Sequence, residues 1–317
     1  MDAILEFVLS ILRPLGITEA VLQFMLVGAI LGVSIYLPLH TGMFSLANAG
    51  FMAVGAYVGV VLTQTFDLPL GLALPLAMIA AGLLAVPIGL PVLRLRDIYL
   101  AIATIGFGEV IRIIALNFDN IVAGILTSIQ GERVRFELLN GARGIKGIPK
   151  LTETWMLVLF LLILIYLLMR LQRSRFGRAM AAVRQDEKAA ANMGVNVVYV
   201  KNMVFVFSAM LAAAAGVFNG HLTRIVTPDA FGFNTTVDIL AYAVLGGTST
   251  WAGPIVGGLL LTAMPELLRF LKEYRGVFNG LVLLLVIVYL PGGLVNPAGV
   301  RAVWNRLRQR HQLVEGA

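Results

Sequence analysis

The chain is predicted to be an all-α, polytopic integral membrane protein of about eight transmembrane helices with broken or re-entrant segments. Three observations predict this. First, 59% of the 317 residues are hydrophobic and only 13% are charged, against about 25% charged residues in soluble domains; mean hydropathy is +0.90. Second, the apolar residues fall in runs long enough for the roughly 20 residues of helix that cross a bilayer, where a spanning backbone must close its own hydrogen bonds. Third, the 33 glycines have no three-residue period. They gather with alanine at Gly28–Gly32, Gly55–Gly59 and Gly253–Gly258, where small residues let helix backbones approach.

In order along the chain, the first 16 residues are too short an apolar stretch to span and read as a partial or interfacial helix. They lack a basic n-region and a small-residue cleavage site, so no cleaved signal peptide is expected. Residues 21–38 make a first span and the Gly/Ala-rich 45–63 a second. Residues 71–93 make a third, with Pro75, Pro87 and Pro91 predicting a kink or break. The fourth, 98–117, carries Glu109 and Arg112, and no long apolar run occurs in 118–152. Residues 153–170 form the most uniform span, with Leu161 expected to face lipid, and a basic Ala-rich loop follows at 171–201. Another span lies at 203–222. Two short apolar pieces in 237–268 are parted by LGGTSTWAGP, a last span occupies 277–291, and a polar basic tail closes the chain. The whole of 1–317 reads as one transmembrane unit with no soluble domain of ordinary size.

Several chemistries are excluded. There is no cysteine, which removes thiolate catalysis, disulfides and Cys-ligated metals. None of His40, His221 and His311 has another metal-type ligand at helical spacing on both sides, and HExxH and P-loop patterns are absent. No catalytic residue and no metal site is therefore expected. The net charge of +7 sits largely in loops, which points to orientation and acidic lipid rather than nucleic acid. The 171–201 loop has six Lys/Arg against five in 118–152, placing 171–201 in the cytoplasm and 118–152 outside. Arg94 and Arg96 fall on the cytoplasmic side by parity. The tail joins them only if 237–268 crosses an even number of times.

Four groups of residues are candidates. Glu109 and Arg112, three apart on one helix face, form an intramembrane pair, either a helix-end ion pair or part of a route. Ser45, Asn48, Ala49 and Gly50 stand among small residues, and Gly246 and Gly247 in the second interrupted region. Both stretches read either as packing contacts or as irregular backbone lining a substrate path. The glycines of Asn140–Pro149 are turns or the rim of a docking mouth. In 171–201, Glu187 precedes Ala189 and Ala190, and Gly194 closes the piece. Its small face suits a groove on another protein, and the alternative is an interfacial helix holding lipid headgroups.

These segments resemble the inner-membrane permease subunits of bacterial branched-chain amino acid ABC importers, the subunit type with the larger extracytoplasmic loop. The resemblance covers roughly 21–297. It rests on Ser45–Phe51, Leu93–Arg112, Gly147–Pro149, Glu187–Gly194, Leu245–Gly257 and Pro291–Leu294, in that order. Lys188 stands between the glutamate and the alanines where the family's coupling loop runs Glu-Ala-Ala, and Arg143 and Lys146 depart from its outer loop. The resemblance implies a multi-pass permease of the bacterial plasma membrane, forming part of the path for branched-chain or related small amino acids. It implies a second homologous permease chain, two cytoplasmic ATPase subunits that carry ATP and Mg²⁺, and an extracytoplasmic binding protein. Glu187, Ala189, Ala190 and Gly194 would then couple to the ATPase, and this chain would hold no cofactor. Relatives of this fold also serve urea and short amides; an ATP-independent channel or carrier is the reading that needs no partner.

Overall fold

Thr18 opens the first described helix by accepting from the Val21 amide, and α1 runs Glu19–His40. The fold, a computed structural model, is described for residues 18–130, 137–267, 280–281, 284–285, 288–289 and 292–295. The N-terminal 16 residues, most of the span expected at 277–291 and the basic tail with His311 lie outside the described residues. Helices then follow as α2 (Asn48–Gln64), α3 (Leu70–Val92), α4 (Asp97–Gln130), α5 (Thr154–Arg173), α6 (Arg175–Gln185), α7 (Glu187–Asn192), α8 (Val197–Thr223), α9 (Phe233–Gly246) and α10 (Ala252–Leu267). The described strands are β1 (Ile145–Lys146) and β2 (Ile225–Val226), an antiparallel ribbon with Ile145 opposite Val226. Five described helices, α1, α3, α4, α5 and α8, are long and apolar enough to cross a membrane.

Two ends of the bundle are distinguished by what they carry. Glu19, Gln23 and Thr154 share hydrogen bonds of 2.8–3.2 Å, so α1 and α5 start together. That is the ribbon end. At the other end, Gln172 donates to the Tyr36 hydroxyl, and α6 and α7 follow; this is the basic end. α8 starts at the basic end, beside α7, and finishes at β2.

α1 and α8 form the centre. α1 is buried continuously from Leu26 to Pro38, and α8 buries Ala212–Ala215. Glycines make these contacts. A β-carbon on Gly55 of α2 would strike the Ala213 backbone of α8, and one on Gly32 of α1 would strike the Pro254 carbonyl of α10. α3, α4 and α5 instead expose large apolar side chains such as Leu83, Ile102 and Leu162. So broad an apolar surface suits lipid and not water.

Two helix expectations change. Of the kink or break expected in α3, the break does not occur: the helix continues through Pro75, Pro87 and Pro91, since each ring removes a single backbone bond while the turns on either side persist. α4 does not stop at 117 but runs to Gln130, 34 residues in all. At 1.5 Å per residue it is about 51 Å long, some 20 Å more than the hydrocarbon core. The expected 118–152 loop thus begins as helix. Asp119 on that extension folds the following chain back, accepting from the amides of Leu138, Leu139 and Asn140 at 2.9, 3.0 and 2.6 Å.

Two interruptions lie inside the bundle. The chain leaves α1 at His40, runs extended through Ser45, and starts α2 at Asn48, beside Ser208 of α8. Ser208 is eleven residues past Val197, so α2 begins about 16 Å in from the basic end. α9 enters from the ribbon end and stops after 14 residues at Gly246, about 20 Å in. α10 then returns. Gly246 abuts Gly253 and Gly257 abuts Tyr242, an antiparallel hairpin register, while α10 climbs α1 through Pro254 on Gly32 and Gly258 on Gly28. The described part of the second interrupted region, 237–267, is therefore re-entrant and makes no net crossing.

Candidate functional site

The basic end is built by caps that polar residues between apolar helices supply. Ser174 accepts from Gly177 N at 3.0 Å to start α6, Asp186 from Lys188 N and Ala189 N at 2.7 and 3.0 Å to start α7, and Asn196 from Tyr199 N at 3.0 Å to start α8. A serine or asparagine cap stabilises a helix by about 1 kcal/mol. Two amides hold the Asp186 carboxyl below the usual carboxylate range, that of Ala189 first and that of Lys188 next. α7 ends at Gly194, with φ +85°. There Gly194 N bonds to Ala191 O and Val195 N to Ala190 O, the Schellman arrangement that glycine permits.

The four coupling candidates do not share one face. Ala189 and Gly194 are exposed, whereas Ala190 is buried. Glu187 turns back into the bundle and pairs with Lys201 of α8, whose side chain is only 9% exposed. Glu187 thus holds α7 down rather than presenting a carboxylate outward. The outward surface is apolar instead: Met193 is 86% exposed, and Val198 and Tyr199 are exposed beside it. The spacing of the small residues did not announce this patch; a lone Met, Val and Tyr in a polar loop was the available signal.

Beneath α7 lies a polar cleft of about 460 Å³, lined by Gly42 and Met43, by Arg96 and Asp97, by Arg184 to Lys188 and by Lys201. Through Gly42 and Met43 it reaches the first interruption. Arg184 Nη1 donates to His40 Nδ1 at 3.3 Å, and the backbone of Thr248 in the α9–α10 break lies near the His40 ring. Met43, on the cleft wall, begins the extended segment that leads to α2.

The six path candidates sit inside packed protein. Asn48, 3% exposed, donates to Ser34 Oγ at 2.8 Å and Ser208 Oγ at 3.1 Å, while Ser208 donates to the Ser34 carbonyl. Ser45 and Ala49 are buried beside it. The Leu46 amide, which no helix satisfies, donates to Thr104 Oγ1 at 2.8 Å. Gly50 is buried against Phe107 and Gly108 of α4. Gly246 is buried against Gly253, and Gly247, with φ +88°, against Gly292 and Gly293. The last carbonyls of α9 are met by backbone: Leu294 N bonds to Leu245 O and Val295 N to Gly246 O. Ser34, Thr104 and Ser208 were missed in the sequence, where isolated hydroxyls in apolar spans read as bonded to their own helix.

Glu109 and Arg112 do pair, Arg112 Nε to Glu109 Oε2 at 2.7 Å, and Arg112 Nη1 reaches Asp229 Oδ1 at 3.0 Å. The group is thus one cation between two carboxylates, tying α4 to the start of α9. In the Asn140–Pro149 segment, Gly141, Gly144 and Gly147 all have positive φ, so they serve turns. Those turns set β1 against β2 and leave Arg143 and Lys146 exposed. Among the described residues no cluster of metal-ligating side chains occurs.

Comparison with known proteins agrees with this architecture. The family profile described as branched-chain amino acid transport system / permease component matches residues 17–287. The chain is 32% identical over 282 residues to the high-affinity branched-chain amino acid transport system permease protein LivM of Salmonella typhimurium, and equally to that of Escherichia coli; each match covers 84% of this chain and 66% of the relative. It thus spans just under two thirds of the length of these relatives. A probable branched-chain amino acid transport permease protein LivH from Methanocaldococcus jannaschii is 26% identical over 85% of this chain and 86% of its own. No solved structure matches. A multi-pass bundle with two interior breaks and a match along most of its length, this chain belongs to the family of branched-chain amino acid transport system permease components.

Proposed function

We propose that the chain is the transmembrane permease half of an ATP-driven importer for branched-chain or related small amino acids delivered by a soluble binding protein. The observation that carries the reading is the family match over residues 17–287, with relatives whose names specify branched-chain amino acid permeases. In this reading the basic end lies in the cytoplasm of a bacterial plasma membrane and the ribbon end outside. A second homologous permease closes the route, two ATPase subunits carrying ATP and Mg²⁺ dock over α6 and α7, and the binding protein meets the outer segment near Arg143 and Lys146. This chain performs no chemistry. The apolar surface of Met193, Val198 and Tyr199, with Ala189 and Gly194, is the contact for the ATPase.

The geometry supports a way for that contact to reach the route. Arg184 on α6 holds His40, whose ring lies near the Thr248 backbone, and Gly42 and Met43 line the cleft under α7; both interior breaks therefore lie close to the turn that α6 and α7 would move. Irregular backbone at membrane depth is tolerated where it faces protein or a cavity. The proposed route opens beside Ser45, Asn48, Ala49 and Gly50 on one side of α1 and Gly246 and Gly247 on the other.

The test is reconstitution of the chain with the second permease, both ATPases and the binding protein. Leucine-loaded binding protein should stimulate ATP hydrolysis and drive uptake. Ala49→Trp should abolish uptake, and Leu162→Trp, at a 58% exposed position, should not. Leucine uptake by this chain without ATPase subunits would overturn the proposal.

A further inference from the structure

A groove of about 740 Å³ opens on the flank of the bundle between α5 and the face made by α3 and α8. Its inner part is apolar, walled by Met78 of α3, Leu164 and Leu168 of α5, and Phe207 and Met210 of α8. Its mouth carries Arg170, Arg173 and Ser174. Leu164 and Arg173 are nine residues apart on one helix, so the groove follows α5 for about 14 Å. That is close to one leaflet of a hydrocarbon core about 30 Å thick.

The charges at the mouth lack protein partners. Among the described residues, neither the Arg170 nor the Arg173 guanidinium forms an ion pair. Arg178 donates to the Arg173 carbonyl at 3.1 Å and brings a third cation to the same rim. A slot that is apolar for the depth of a leaflet and cationic at the water boundary has the polarity profile of an anionic amphiphile. Water fits the rim but not the interior, and a free anion fits only the rim. A zwitterionic lipid fills the slot but leaves the arginines without a net negative charge.

We propose that this groove is a binding site for one anionic phospholipid, with an acyl chain between α5 and the α3–α8 face and the phosphate held by Arg170 and Arg173. The bound lipid seals α5 to the central helices; it also anchors the start of α6, because Ser174 is both a rim residue and the α6 cap. The site belongs to this chain's own helices, and the proposal does not depend on which substrate the permease carries.

The experiment is native mass spectrometry of the full chain in nonionic detergent, titrated with dioleoyl phosphatidylglycerol or dioleoyl phosphatidylcholine. At about 1 kcal/mol for each basic residue facing the headgroup, wild type should prefer the anionic lipid by roughly 30-fold. Arg170→Gln with Arg173→Gln should bring that preference close to unity with helical circular dichroism unchanged. Met210→Trp, which fills the tail slot, should weaken both lipids. Deacylated glycerophosphoglycerol should not compete. Equal binding of the two lipids to wild type, or an unaltered preference in the double arginine variant, would overturn the proposal. So would full competition by the deacylated headgroup, which would make the site an anion site without a tail. Met210→Trp that disrupts complex assembly and leaves lipid binding intact would assign the groove to a protein partner instead.

Discussion

Glu187 and Lys201 are one ion pair with two unequal ends, and the inequality predicts an asymmetric response to mutation. The Lys201 side chain is 9% exposed and that of Glu187 36%. Glu187→Ala leaves an ammonium inside the bundle with no counter-charge. Stranding a fully buried charge costs 3–5 kcal/mol, an exposed pair is worth less than about 1, and the half-open carboxylate side places this case near 2 kcal/mol. Lys201→Met removes the buried charge and keeps the stem, and the freed Glu187 hydrates where it stands, so the cost falls to about 0.5 kcal/mol. The quantity to measure is the opening of α7, by amide hydrogen exchange of Glu187–Asn192 in lipid nanodiscs. Exchange should quicken roughly 30-fold in Glu187→Ala and about twofold in Lys201→Met, with the middle of α8 unchanged in both. Equal acceleration in the two variants, or a larger one in Lys201→Met, would refute the argument that the buried lysine is the end that needs its partner.

Other outcomes follow from the same geometry. In the cysteine-free background, Asn140→Cys should react with a membrane-impermeant thiol reagent from outside, and Gln185→Cys only after the membrane is opened; the reverse pattern would invert the proposed topology. The Asp186 cap has a pKa below the unfolded value of about 3.9, so its contribution to α7 is complete above that value and is lost as pH falls through the folded pKa. Protection of the Lys188 and Ala189 amides, their exchange measured relative to the intrinsic rate at each pH, should therefore fall below about pH 4 in wild type, and Asp186→Asn, which still caps, should flatten that fall. A loss of protection of the same size in the variant would assign it to another group. Gly247→Ala meets both a positive φ of 88° and the Gly292 carbonyl, so it should destabilise the purified chain by more than about 1 kcal/mol. An unchanged melting temperature would show that the break relaxes around a methyl group.

What was legible in the sequence was the hydrophobic run. Spans at 21–38, 71–93, 153–170 and 203–222 correspond to α1, α3, α5 and α8 because unbroken apolar stretches have no other stable form in lipid. The interruptions at Ser45 and Gly246–Gly247 were legible for the complementary reason that glycine and polar residues puncture those runs. What was not legible was pairing at a distance. Asp229 lies 117 residues from Arg112 and reads as an ordinary turn residue. Ser34 and Ser208, 174 residues apart, gave no sign of sharing Asn48. The α4 extension was hidden because Asp119 and Asn120 end the apolar run without ending the helix. Leu161, expected at the lipid face, is 8% exposed, whereas Leu162 faces out; a uniformly apolar helix does not mark its own inner side.

The backbone closure at the α9–α10 break also bears on how the chain is made. The carbonyls of Leu245 and Gly246 find their donors on Leu294 and Val295, almost fifty residues later in synthesis. Until the ribosome has delivered those residues, the tip of the hairpin carries unsatisfied acceptors and is poorly suited to sit deep in the bilayer. The hairpin should therefore wait near the surface or in the shelter of the insertion machinery and settle after most of the chain is already in place. A chain stopped just before Leu294 would have nearly all of its apolar mass and still lack the piece that lets its re-entrant loop go in.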